Sequence, residues 1–363
     1  MTLKTGLDRI RLDPQKVRKI LVCQLRRIGD VLLATPSIRL LNKAFPRAEI
    51  HILTEKQSVP VLEHNPDLDR IWAIDKKRLN HLGKELVFYS KVARQGFDLL
   101  VDFQQLPRCR WVALLSMFFG TRVRLTYTPP WYNRLLFTHW SRPRDGYAAM
   151  SKASVLEPLG ISWRGERPRL NILPREFKKA KKFLQDLGVS DNNTLVTVDP
   201  THRRETRRWP AGYFGELIKM AAKARPDLKF LLLFGPGEKE IANQVLESAA
   251  TPACLLSENM LSIREMAAVI ACAHLHFGTC SAPRHIAVAV GTPSLVVLGS
   301  TSSAWTYPSQ EHEDISLDID CRPCNRNTCP DPKCLTGLTP EKVLPALLES
   351  LERNPKKPCA SFS

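Results

Sequence analysis

The sequence predicts an α/β protein built from two doubly wound parallel sheets. Three observations predict it. Residues 20–25 form an unbroken apolar run that ends in a glycine turn and a helix-period pattern. Strand-like and helix-like segments then alternate to residue 103, and the same grammar starts afresh at residue 194. Alternation of this kind requires crossover helices, and so a parallel sheet.

The first run, Ile-Leu-Val-Cys-Gln-Leu, reads as a strand covered on both faces. Arg26-Arg27-Ile28-Gly29-Asp30 follows, and helical spacing runs from Val31 towards Ala44, where Phe45-Pro46 stops it. Strands are expected at 49–53, 71–74 and 99–103, with a helix over 79–94. Residues 127–147, rich in aromatics, Pro and Arg, read as irregular loop, and a helix follows at 151–159. The polar stretch 162–174, with Pro168 and Pro174, reads as a linker. Beyond it come a helix at 175–187, strands at 194–198, 230–234, 274–277 and 294–298, and helices at 214–224, 238–249 and 283–290. Thr339-Pro340-Glu341 opens a last helix, with Pro in its first turn. The expected division is a domain over 1–172, a second over 173–338 that includes a Cys-rich loop at 321–334, and a helix and tail over 339–363.

A length of 363 residues suits two domains, and 44% hydrophobic with 25% charged residues is a globular balance. No apolar run reaches the ~20 residues needed to span a bilayer. Residues 111–119 form the longest, between Arg108, Arg110, Arg122 and Arg124, and read first as a core helix. Residues 1–19 lack an apolar core of leader length, so a cytoplasmic location is the default. The net charge of +17 calls for an anionic partner. With basic residues spread along the chain and no nucleic-acid-binding signature, a phosphorylated substrate or an anionic membrane face ranks above nucleic acid.

Five motifs carry chemistry, four of them just beyond a strand's carboxyl end, where open α/β sheets bind ligands. Asp30 reads either as a helix N-cap worth about 1 kcal/mol or as a general base. Arg26 and Arg27 beside it read as groups that hold it ionised or bind an acidic substrate, or as solvated charges. The segment Thr201-His202-Arg203-Arg204-Glu205-Thr206-Arg207-Arg208-Trp209-Pro210 offers guanidiniums suited to a diphosphate. Gly235 and Gly237 of Gly-Pro-Gly-Glu permit close backbone approach or a plain turn. Neither this nor the first turn is a G-x-G-x-x-G fingerprint, which disfavours a dinucleotide oxidoreductase. Cys280-Ser281-Ala282-Pro283-Arg284-His285 precedes a helix whose free N–H groups suit an anion, although His285 alone reads as a structural histidine. Cys321, Cys324, Cys329 and Cys334 leave three states open: a structural zinc, reduced thiols on a rigid loop, or disulfides.

Taken in order, ILVCQLRRIGDVLLATPSIRLL, RRETRRWPAGYF, FGPGEKE, HFGTCSAPRHIAVAVGTP, LGSTSSAWTYP and CRPCNRNTCPDPKC resemble glycosyltransferase family 9, the bacterial heptosyltransferases of lipopolysaccharide core assembly. The resemblance covers about residues 20–351. It implies a GT-B fold of two Rossmann-like domains facing across a cleft, the first for the acceptor and the second for a nucleotide sugar. It places the catalytic base on Asp30 and the group that neutralises the leaving diphosphate on Arg207. Thr201, Arg203, Gly235, Gly237, Cys280, Ser281, Ala282 and His285 fall in the donor site, and Arg26 and Arg27 near the acceptor. The implied reaction inverts the anomeric centre, needs no metal and uses an ADP-sugar. The implied acceptor is an anionic, phosphorylated glycolipid of lipid A–Kdo type at the inner face of the cytoplasmic membrane. One departure stands out. The family carries Asp-Ser/Thr-Gly where this chain has Cys280-Ser281-Ala282, and a thiol lacks the carboxylate's capacity to accept from a sugar hydroxyl. A different donor sugar, or a weak or silent member of the family, therefore stands as the alternative. Cys280→Asp is expected to raise transfer if heptose is the donor.

Overall fold

The structure, a computed structural model, describes residues 10–354. The first nine residues of the segment read as leaderless, and residues 355–363 of the tail, lie outside that range. The chain divides into two units between Arg169 and Leu170, inside the stretch read as a linker.

The first unit runs β1 (Lys19–Cys23), α1 (Ile28–Leu32), α2 (Thr35–Ala44), β2 (Glu49–Glu55), β3 (Arg70–Ile74), α3 (Leu82–Ala93) and β4 (Leu99–Asp102). It continues through α4 (Pro107–Phe118), β5 (Val123–Tyr127), β6 (His139–Ser141) and α5 (Ala148–Ala153). Its six parallel strands lie in the order β3-β2-β1-β4-β5-β6. The single helix expected after Val31 is two. Thr35-Pro36 restarts it, because Pro has no N–H to offer a continuing helix but fits a first turn, and Thr35 Oγ1 donates to Leu32 O at 2.7 Å. The segment read as loop contains a 3₁₀ turn, Trp131–Leu136, and the short edge strand β6. Three half-polar residues (His-Trp-Ser) give no legible period. Helix α4 buries Cys109, Val112, Ala113 and Ser116, yet Trp111, Phe118 and Phe119 remain exposed. It is a core helix on one face only.

The second unit contains α6 (Pro174–Asp186), β7 (Thr194–Asp199), α7 (Ala211–Ala224), β8 (Leu228–Leu232), α8 (Lys239–Ala249), β9 (Cys254–Leu256) and α9 (Ile263–Cys272). Then come β10 (Leu275–Gly278), α10 (Ala282–Val290), β11 (Ser294–Val297), β12 (His312–Ile315), α11 (Lys333–Thr336) and α12 (Pro340–Arg353). Its six parallel strands lie in the order β12-β11-β10-β7-β8-β9. Numbered from its own first strand, this is the order of the first sheet. Both are doubly wound and Rossmann-like, with the order reversing at β1/β4 and at β7/β10. The last helix, set apart in the sequence reading, belongs to this unit: Val343, Leu347 and Leu351 are buried in its core with Trp209 and Phe214.

Candidate active site

Doubly wound sheets open a crevice where the strand order reverses, and motifs of both units fall at these reversal points. In the first unit the chain leaves β1 through Arg27, whose φ of 62° is a left-handed conformation that side chains seldom adopt. Arg27, not Asp30, is the residue before α1; Asp30 stands in the first helical turn. Gln104, just past β4, secures this unusual turn. Its Oε1 accepts from Leu25 N at 2.9 Å and Arg26 N at 3.1 Å. Asp102 in turn fixes the loop of Gln104, with Oδ1 accepting from Gln104 N at 2.9 Å and Gln105 N at 3.0 Å. Asp102 is fully buried, and burial pushes its carboxyl up to about 6 against the pull of those two amides.

The cation facing Asp30 is Lys152. Its Nζ lies 3.5 Å from Asp30 Oδ1 and donates to Gln24 Oε1 at 3.0 Å. Its ammonium is also 6.0 Å from the Phe103 ring. Lys152 is buried, which lowers its pKa below the ordinary lysine value, while the Asp30 carboxylate works in the opposite direction. Arg26 and Arg27 are exposed and do not pair with Asp30. The part of the sequence reading in which they keep it ionised is thereby corrected: strained backbone carries them outward, and a lysine on α5 takes their place. A carboxylate so held is oriented by a cation and partly open, as suits a proton acceptor.

The second crevice is a chain of polar groups. Thr201 Oγ1 lies 3.1 Å from Asp199 Oδ1 and 2.7 Å from Glu238 Oε2, and Ser281 Oγ donates to Asp199 Oδ2. One hydroxyl proton cannot serve two carboxylates. The hydroxyl serves one carboxylate at a time, and Thr201 N–H also donates to Asp199 Oδ1 at 3.4 Å. Burial, assisted by the Glu238 charge, pushes Asp199 up to about 7. Gly278 packs directly on this strand end; a Cβ there would meet Asp199 O at 2.7 Å. Gly235 N–H donates to Glu238 Oε2 at 2.9 Å and Gly237 has φ 78°, so the Gly-Pro-Gly segment is a turn closed by its own Glu238.

The basic loop separates its arginines. Arg203 is exposed, whereas Arg207 is buried and donates to Asn325 Oδ1 at 3.2 Å. Trp209, fully buried, anchors the loop through Nε1 to Leu338 O at 2.8 Å. His202 stays neutral, pushed down to about 4 by burial and by the charge of Arg207. The Cys-rich loop closes over this segment. Thr206 Oγ1 donates to Arg326 O at 2.6 Å, and Arg322 donates to the carbonyls of Gly299, Leu317 and Thr301.

Ala282 opens α10 with helical backbone, so the freedom of a glycine is not needed there. His285 is buried edge-on to Trp305, with ring centroids 6.1 Å apart. Cys280 is buried in an apolar cluster with Val296, Leu298 and Trp305. Its thiol packs as a hydrophobe, and the polar groups at this corner are Asp199 and Ser281. Of the four clustered cysteines, Cys321 and Cys324 are exposed and Cys334 lies in the core, where burial pushes its thiol up. Among the described residues, no three His, Cys, Asp or Glu side chains gather as a metal site.

Sequence reasoning missed Gln104, Lys152 and Asp199. A lysine within Ala-Ala-Met-Ser-Lys-Ala-Ser-Val-Leu, a segment otherwise suited to burial, was the available signal for the second.

Residues 88–335 match the family model for glycosyltransferase family 9 (heptosyltransferase). The chain is 30% identical to a lipopolysaccharide heptosyltransferase 3 of Escherichia coli over 294 residues, covering 78% of this chain and 84% of that protein. Among solved structures it is similar to a family 9 glycosyl transferase from Veillonella parvula, with a TM-score of 0.81, 22% identity and coverage of 95% and 100% of the two chains. It is also similar to the ADP-heptose lipopolysaccharide heptosyltransferase II of E. coli, with a TM-score of 0.74, 18% identity and coverage of 92% and 99%. These likenesses identify the fold as GT-B. With the motifs standing in order at both reversal points, the chain belongs to glycosyltransferase family 9.

Proposed function

We propose that the chain transfers a heptose from ADP-heptose to the phosphorylated core of lipopolysaccharide, inverting the anomeric centre and using no metal. The observation that carries this reading is the Asp30–Lys152 pair at the first reversal point, a carboxylate set against a buried cation and partly open. Asp30 takes the proton of an acceptor hydroxyl. That oxygen forms its bond to the anomeric carbon as the bond to the diphosphate breaks, and ADP leaves. Arg207 supplies positive charge to the departing diphosphate, which is electrostatic stabilisation where charge develops. Ser281, His285 and the first turn of α10 seat the donor, with Thr201 and Arg203 at its edge. The first unit takes the acceptor, a lipid A–Kdo type glycolipid at the inner membrane face, with Arg26 and Arg27 available to its phosphates.

A second reading keeps the reaction and changes the donor sugar. Cys280 supports it, because an apolar cluster occupies the position where the family carries a carboxylate. Calorimetric titration with ADP and with ADP-heptose, in chelator, tests both. Binding of both ligands is expected. Binding of ADP alone would favour another sugar, and binding of neither would overturn the assignment of the second crevice.

A further inference from the structure

We infer that the outer face of α4 together with the 3₁₀ turn Trp131–Leu136 docks the protein on an anionic phospholipid bilayer. The inference rests on the transferase reading only in supplying a reason for the docking.

Of the ten large hydrophobic side chains exposed among the described residues, seven lie between Trp111 and Leu135. Phe118, Trp131 and Leu135 are 73%, 79% and 80% exposed. Apolar side chains concentrated in this way mark an interaction surface rather than the ordinary scatter of exposed residues. The two elements form one surface. Arg124, itself buried, donates to Leu136 O at 2.6 Å and to Thr121 O at 2.5 Å, tying the end of the turn to the end of α4. Arg110 sits over the Tyr132 ring at 5.4 Å and Arg94 over Phe119 at 5.5 Å.

Charge selects the occupant. The stretch between Asp102 and Asp145 holds seven arginines and no acidic residue. Arg122, Arg134 and Arg142 are exposed and form no ion pair among the described residues. A second copy of the chain docking face to face would set arginine against arginine. An anionic lipid surface complements both features: phosphates take the guanidiniums, and Trp and Tyr suit the interface between headgroup and acyl chain. No helix among the described residues is long and apolar enough to cross a membrane, so the contact is one of adsorption.

The test is flotation of the full chain with vesicles of phosphatidylglycerol and phosphatidylethanolamine, beside vesicles of phosphatidylcholine alone. Binding is expected to the anionic vesicles only, to weaken with salt, and to fall about tenfold or more in Phe118→Ser/Trp131→Ser/Leu135→Ser. Trp131→Phe serves as the conservative control and retains binding. Transfer to a deacylated, water-soluble acceptor is expected to be equal in wild type and triple variant, which also shows that the variant folds. Equal flotation of variant and wild type, or a wild type that does not float, would overturn the inference. So would a wild-type dimer that the triple variant disperses. Failure of transfer in every protein with normal flotation would strike the transferase reading and leave this one standing.

Discussion

The two reversal points share a sheet order and a buried aspartate, yet they use the aspartate differently. In the first unit Asp102 receives backbone amides and fixes Gln104, which in turn holds the Leu25–Arg26 backbone. The acid is scaffolding there, and the carboxylate proposed to react, Asp30, is a separate residue on the next helix. In the second unit Asp199 is one member of a hydroxyl–carboxyl chain with Thr201, Ser281 and Glu238. The comparison teaches that the most perturbed acids at these crevices are not the group proposed to react. Perturbed acidity marks the site here without naming the catalyst.

The largest expected effect is on chemistry. Asp30→Ala should lower the transfer rate by on the order of 10²–10⁴ while donor affinity, read by calorimetry, stays unchanged. Undiminished transfer would remove the distinction between the two crevices.

Next is the pH dependence of stability. Asp199 is pushed from 3.8 up to about 7 in the folded protein. Below the unfolded value both states are protonated and the stabilisation is whole. Between the two values the unfolded chain gives up a proton that the folded chain keeps, so stability falls as pH rises, and the loss is complete above the folded value. Asp199→Asn copies the protonated acid and removes this slope. Its stability relative to wild type should therefore grow by about 2–4 kcal/mol from pH 4 to pH 8, measured by urea unfolding. A difference that does not change with pH would mean that Asp199 is ionised in the folded state.

Cys280→Asp places a carboxylate among Val296, Leu298 and Trp305 and should cost about 2 kcal/mol of stability in thermal melts. A gain in heptose transfer despite that cost would identify the missing carboxylate as the limit on the donor site. A folded variant with no gain would favour another sugar.

The smallest effect concerns the cation beside Asp30. Lys152→Met should lower the transfer rate about tenfold and also lower the melting temperature, since it leaves Asp30 and Gln24 without their cation. Lys152→Arg should recover part of the rate. A fall in melting temperature alone would make Lys152 a structural residue.

Much of this was legible before the fold was known. Strand–turn–helix junctions placed Asp30, Arg207 and Ser281 at carboxyl ends, because a continuous apolar run followed by glycine and a helical period has few other realisations. Lys152 was not legible, since its partner Gln24 is 128 positions away and only the sheet order brings the two together. Asp199 read as the end of a strand, and its role depends on the β7–β10 pairing that sets it opposite Gly278. Edge strands β6 and β12 escaped because short, half-polar strands have no period to read. The packing of Cys280 against Val296, Leu298 and Trp305 was not legible either, because its place in a polar motif says nothing of its apolar neighbours.

The bonds that Thr206 and Arg207 donate to Arg326 and Asn325 have a consequence for biosynthesis. A chain still being translated, with residue 320 just emerged, already has β7, α7 and β10, but not the segment that fastens Thr206 and Arg207. The second crevice is therefore among the last parts of the protein to form. A nascent or truncated chain that ends before the Cys-rich loop has both sheets largely built but lacks the partners that fix Arg207, so on the proposed function competence for nucleotide arrives with the carboxyl end of the polypeptide.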